Sequence, residues 1–231
     1  MGVMVLRTLA SFVVPPVCFA CGKAMTAGKA RLCTACLALI RRVGDSDEPF
    51  RSSLGRLQSE GGISGFVVPW YVDRKGPLQV LIHRLKYGGM TRIGEELGEE
   101  VGRCAMASGI GKADGIVPVP LHPSKLRERG YNQSEHIGRG MARVTGWPLI
   151  PRLVERRRFT PSQTLLSADE RHENVRGAFI ARPSRRRPVD GRTFILVDDI
   201  VTTGATMCAC ASALCGAGAR NVFCCAIGLA S

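Results

Sequence analysis

The chain has 231 residues, 45% hydrophobic and 22% charged, with a formal net charge of +13. That hydrophobic share excludes a disordered chain and suffices for one substantial core plus a small accessory module. The charge surplus points to an anionic partner (phosphates, nucleic acid or an anionic membrane surface) or to a solvated basic surface, and the basic residues cluster at Arg41-Arg42, Lys125/Arg127/Arg129, Arg156-Arg157-Arg158 and Arg185-Arg186-Arg187.

In chain order, Met1–Val17 places Val5, Leu6, Leu9, Phe12 and Val13 on one face of a short amphipathic helix. With one early positive charge, Arg7, no small-x-small cleavage site and Pro15-Pro16 ahead of the first cysteine, it does not read as a signal peptide. No run reaches the length of a membrane span, so a cytoplasmic protein is expected.

Cys18-Phe19-Ala20-Cys21 and Cys33-Thr34-Ala35-Cys36 follow as two CxxC pairs. Four thiolates complete a tetrahedral zinc shell with no open position, so residues 1–40 are read as a helix and a structural zinc module. A redox pair and four unliganded core cysteines are the alternatives; a redox site needs only one CxxC and lacks a thioredoxin context here. The other six cysteines, Cys104, Cys208, Cys210, Cys215, Cys224 and Cys225, read as packing residues in a reducing compartment rather than as a disulfide framework.

Residues 41–65 are rich in Asp, Ser, Gly and Pro and are expected to be a linker. From residue 66 to 231 strands alternate with helices, which implies a parallel sheet flanked by helices. Strands are expected at Phe66–Val72, Gly115–Pro120, Leu149–Val154, Phe194–Val197 and Val222–Ile227. Helices are expected at Pro77–Tyr87, around Ile93–Val101, at Asn132–Val144 with an Asn132/Glu135 capping box and interruptions at Gly138 and Gly140, and at Thr206–Cys215.

The most specific signal is Phe194-Ile195-Leu196-Val197-Asp198-Asp199-Ile200-Val201-Thr202-Thr203-Gly204-Ala205-Thr206. Four apolar residues bury a strand, and two carboxylates stand where it leaves the sheet. A Thr/Gly loop then opens a helix whose free N–H groups can cradle a phosphate. The spacing fits neither a nucleoside triphosphate P-loop nor a dinucleotide turn. The bland alternative, an ordinary Thr-rich helix cap, does not account for adjacent aspartates. His83, His122, His136 and His172 are scattered without metal or nucleophile–base spacing, and Trp70 and Tyr71 read as strand core.

This segment resembles the phosphoribosyl-pyrophosphate motif of type I phosphoribosyltransferases, and the wider chain is similar to the ComF family of competence proteins within that superfamily. The similarity covers the CxxC pairs, Leu81-Ile82-His83-Arg84-Leu85-Lys86-Tyr87-Gly88-Gly89, Val117-Pro118-Val119-Pro120, Arg127-Glu128-Arg129-Gly130-Tyr131-Asn132-Gln133 and the stretch from Thr160 through Phe179. It implies a type I phosphoribosyltransferase-like sheet binding 5-phosphoribosyl-1-pyrophosphate with Mg²⁺. Asp198 and Asp199 would meet the ribose hydroxyls, and Thr202, Thr203, Gly204, Ala205 and Thr206 would hold the 5-phosphate. Lys125, Arg127 and Arg129 would face the pyrophosphate, or form an exposed basic turn. Arg156–Phe179 corresponds to a closing loop, or to a solvated one.

Two functions follow from the resemblance. One is an enzyme that transfers phosphoribosyl to an unidentified acceptor with release of pyrophosphate. The other is a non-catalytic accessory or sensor protein in DNA uptake that binds single-stranded DNA.

Overall fold

A computed structural model describes residues 16–26, 31–156, 178–185 and 188–230. The expected N-terminal helix, the closing loop and parts of two arginine clusters lie outside those residues.

The sheet is parallel and is built around β6, Thr193–Val201, which pairs with β7, Asn221–Ala230, on one side and with β3, Gly115–Pro118, on the other. Phe194 through Val197 are wholly buried, as a central strand covered on both faces requires. β1, Gly65–Val67, and β2, Trp70–Val72, both pair with β7 and complete the far edge. Phe66–Val72, expected as one strand, is thus split at Val68-Pro69, where proline has no N–H to give a ladder.

Successive side chains of β6 enter opposite layers. Phe194 and Leu196 pack with Leu57, Cys208 and Leu214 of helices α2 and α7 (Glu48–Gly61 and Ala205–Gly216). Ile195 and Val197 pack with Leu81, Leu85, Val101, Ile137 and Met141. Those residues belong to α3, α4 and α6 (Pro77–Tyr87, Thr91–Ala107 and Gln133–Thr145). The architecture is therefore helices on both faces of a parallel sheet, as the alternating pattern implies.

The stretch 41–65 is not a plain linker. After α1, Thr34–Ala38, the chain forms α2, fourteen residues with Pro49 in its first turn and Gly62 as a left-handed C-cap. Its polar composition hides three inward residues, Phe50, Leu57 and Gly61. The amphipathic stripe is sparse, so composition alone reads as linker.

α6 runs unbroken through Gly138 and Gly140, where interruptions are expected. A Cβ at Gly140 would run into the backbone oxygen of Glu95, and one at Gly98 into that of Ile137. These glycines let α4 and α6 touch backbone to backbone. Asn132 does cap α6, accepting from Ser134 N–H at 3.1 Å, but Glu135 turns outward to Arg139 rather than closing a capping box. Leu149–Val154 is not a continuous strand. Leu149 makes an isolated bridge to Ile116, and the strand proper is β4, Val154–Arg156, antiparallel to β5, Phe179–Ala181.

Candidate functional site

The carboxyl end of β6 carries the expected acids, and strand parity separates them. Asp198 continues the parity of Phe194 and Leu196, and Asp199 that of Ile195 and Val197, although Asp198, at the strand end, also reaches α6. Asp198 Oδ1 accepts the Ser134 hydroxyl at 2.8 Å and the Asp199 N–H at 2.9 Å. Ser134 is itself wholly buried at the start of α6. Asn132 Nδ2 donates to Val119 O at 3.0 Å, tying this helix start to the segment after β3.

Asp199 is 4% exposed. Its Oδ1 accepts the Ile200 N–H at 2.7 Å, and Lys86 Nζ lies 2.9 Å from Oδ2. That oxygen is buried without a hydrogen bond of good direction, so the lysine charge is what compensates it. Burial and the adjacent Asp199 charge push Asp198 up to about 7, against the downward pull of Ser134.

Beyond the acids, Asp198, Ile200, Val201, Thr202, Thr203, Gly204, Ala205, Thr206 and Met207 line a cavity of about 60 Å³. Gly204 caps α7 at φ 82°, and the Thr203 hydroxyl accepts from Ala205 N–H at 3.4 Å. The first N–H groups of α7 have no intrahelical partner and carry the positive end of its dipole. Charge, donors and size at this corner suit a small anion.

α2 buttresses this loop, which the linker reading missed. Leu57 packs where a Cβ of residue 204 would project, and Arg56 Nη1 donates to Thr203 O at 3.5 Å. The signal available in the sequence was the Phe50, Leu54, Leu57 spacing, diluted by serine and charge.

The basic trio does not share one helix face. Lys125, Arg127 and Arg129 lie on α5, Pro123–Arg129, where helical rotation turns Arg127 roughly 160° from both neighbours. Lys125 pairs with exposed Glu128 at 2.9 Å. Arg129 donates to Gln133 and lies 5.1 Å from the Tyr87 ring centroid. Tyr131 donates its hydroxyl to Leu85 O, so the end of α3 is fastened to the chain after α5. Sequence reading gave Lys86 no role, because the residue spacing that joins it to Asp199 spans half the chain.

A second constellation lies in the N-terminal module. The sulfurs of Cys18, Cys21, Cys33 and Cys36 all lie within 4.8 Å of one another, so this cluster can hold a metal ion. Cys21 and Cys33 are 3.7 Å apart, close to the ~3.8 Å edge of a thiolate tetrahedron with metal–sulfur bonds of about 2.3 Å. Burial opposes a thiolate at Cys18, but N–H groups of Cys21, Cys33 and Ala20 outweigh it and bring Cys18 down to about 6. Of the later cysteines, Cys208, Cys210, Cys224 and Cys225 are buried as expected, Cys104 is half-buried, and Cys215 is exposed. Tyr71 is buried, hydroxyl to Asp47 at 3.0 Å, with Arg41 over its ring. No described helix is long and apolar enough to cross a membrane.

The phosphoribosyl transferase domain family matches residues 151–228. "DNA utilization protein YhgH" of Escherichia coli K12 is 30% identical over 227 residues, covering 91% of this chain and 96% of that protein. "Competence protein F" of Haemophilus influenzae is 30% identical over 145 residues, 61% of this chain and 62% of that one. A solved glutamine phosphoribosylpyrophosphate amidotransferase from B. subtilis aligns with 57% of this chain and 25% of its own at 23% identity and a TM-score of 0.38; the fold assignment rests on the sheet topology instead.

Proposed function

This chain belongs to the ComF family, within the type I phosphoribosyltransferase superfamily, and on that premise we propose that it binds 5-phosphoribosyl-1-pyrophosphate as its Mg²⁺ complex and transfers the phosphoribosyl group to an acceptor. The observation that carries the reading is one corner in which Asp198 and Thr202–Thr206 line the same cavity at the start of α7. The 5-phosphate takes the N–H groups and hydroxyls of Thr202, Thr203, Gly204, Ala205 and Thr206. Asp198 and Asp199 serve the ribose end, and Lys125, Arg127 and Arg129 face the pyrophosphate end. Mg²⁺ bound to the pyrophosphate supplies neutralisation of the leaving group. The chain's own contribution is positioning of ribose C1 and electrostatic stabilisation of charge as the C1–O bond breaks and an acceptor nucleophile bonds to C1.

The N-terminal cysteines fit zinc in a structural role, since all four tetrahedral positions are filled by sulfur.

Calorimetry with phosphoribosyl pyrophosphate and Mg²⁺ tests the pocket. Wild type gives binding heat that the Asp198→Asn/Asp199→Asn variant loses; absence of heat from wild type overturns the reading. A pyrophosphate-release screen over nucleobases and small amines then identifies the acceptor.

A second reading, an accessory or sensor role in DNA uptake with single-stranded DNA as ligand, is favoured by the names of the relatives and by the +13 charge. Phosphate neutralisation makes such binding fall steeply with salt. Binding of a labelled oligonucleotide that is flat between low and high salt eliminates it.

A further inference from the structure

Resting on the ligand reading above, we propose that Tyr87 is a specificity residue for the acceptor: its ring stacks on a planar one, which makes the acceptor an aromatic nitrogen base rather than an aliphatic amine.

Helix α3 buries Leu78, Leu81, Ile82 and Leu85, and His83 and Tyr87 stand on its opposite side. Their ring centroids are 4.9 Å apart, and Arg129 Cζ lies 5.1 Å from that of Tyr87, yet Tyr87 stays 59% exposed. An exposed tyrosine by itself is ordinary; the position of this one is not.

Contacts lead from Tyr87 to each acid of the β6 pair. Its chain neighbour Lys86 sets Nζ 2.9 Å from Asp199 Oδ2. Its ring partner Arg129 donates to Gln133, and the next residue, Ser134, donates to Asp198 Oδ1 at 2.8 Å. Tyr131 donates to Leu85 O and fastens the end of α3, so the ring has a fixed base at the rim of the ribose corner. The chain then leaves through Gly88-Gly89, and a Cβ at Gly89 would meet nothing within 4 Å, so there is open space beside the ring.

This chemistry selects a flat, π-bearing ligand. A phenol ring beside a planar guanidinium offers stacking to a purine, pyrimidine or pyridine ring, while the Arg129 charge repels an aliphatic ammonium. In the transfer step a ring nitrogen gives its lone pair to ribose C1 as the C1–O bond breaks. Pyrophosphate leaves with that bond's electrons, and any proton on the nitrogen passes to water.

Saturation-transfer NMR with adenine, uracil and nicotinamide, without and with phosphoribosyl pyrophosphate and Mg²⁺, tests the platform. Ring protons of at least one base should receive saturation from wild type and from Tyr87→Phe, and lose it in Tyr87→Ala, which leaves the core untouched. No response from any base in wild type, or an undiminished one in Tyr87→Ala, overturns the proposal. Pyrophosphate release with the responding base then separates specificity from folding. Tyr87→Ala should raise the KM of that base about tenfold and Tyr87→Phe should not, while calorimetric affinity for phosphoribosyl pyrophosphate stays within about threefold of wild type. Release with ammonia or ethanolamine that Tyr87→Ala does not slow, or an equal loss of affinity for both substrates, overturns the proposal. So does a single-stranded oligonucleotide that depends on Tyr87 when no free base binds. Absence of phosphoribosyl pyrophosphate binding in wild type refutes the ligand reading instead, and the NMR with bases alone then decides for or against Tyr87.

Discussion

Leu57 and Gly204 occupy one space: a Cβ at position 204 would sit 2.7 Å from Leu57 Cδ2. Gly204 also has φ 82°, a conformation that costs other residues about 1–2 kcal/mol. The loop that lines the candidate phosphate cavity is thus shaped from beneath by a helix that composition alone assigns to a linker.

This contact predicts coupling. Gly204→Ala should destabilise the protein by about 2–3 kcal/mol through strain and overlap, and Leu57→Ala by about 2–4 kcal/mol through the cavity it leaves. The double variant should cost less than the sum of the two, because the shorter side chain gives the new methyl room. Denaturant melts of the four proteins check it, and strict additivity would refute the contact.

The crossing of α4 and α6 makes a second prediction. Gly98→Ala and Gly140→Ala each force apart backbones in direct contact, so each should lose about 3 kcal/mol or more, whereas Gly55→Ala, on the exposed side of α2 where a Cβ meets nothing, should gain about 0.5–1 kcal/mol. Thermal denaturation of the three variants measures the difference.

Asp198 links stability to pH. Its folded value is raised to about 7, above that of an unfolded carboxyl, so its contribution is fully present below about pH 4 and is lost as pH rises through 7. Asp198→Asn should therefore gain roughly 1–3 kcal/mol relative to wild type at pH 8 and little at pH 4. Denaturant midpoints at the two pH values report it; a larger gain at the acid end would contradict the raised value.

The cysteine cluster should behave as one unit. Metal analysis of purified protein is expected to return about one equivalent of zinc, lost together with thermal stability on chelation or in Cys36→Ser. Cys215→Ser, on the exposed thiol of α7, should change neither. Less than about half an equivalent in wild type argues against a structural site.

Much was fixed locally. The apolar run Phe194–Val197, short and bounded by two acids, reads as a buried strand, and the Thr/Gly loop after it as the start of a helix, and both are found. The two CxxC pairs carry their meaning in spacing alone. What tertiary structure decided was every relation across distance: Lys86 on Asp199, Ser134 on Asp198, Leu57 under Gly204, and the α4–α6 glycine contact. The reason is physical. Strand period and helix caps arise from neighbouring residues, whereas the partner of a buried charge, or the space denied to a Cβ, depends on which elements the sheet order brings together.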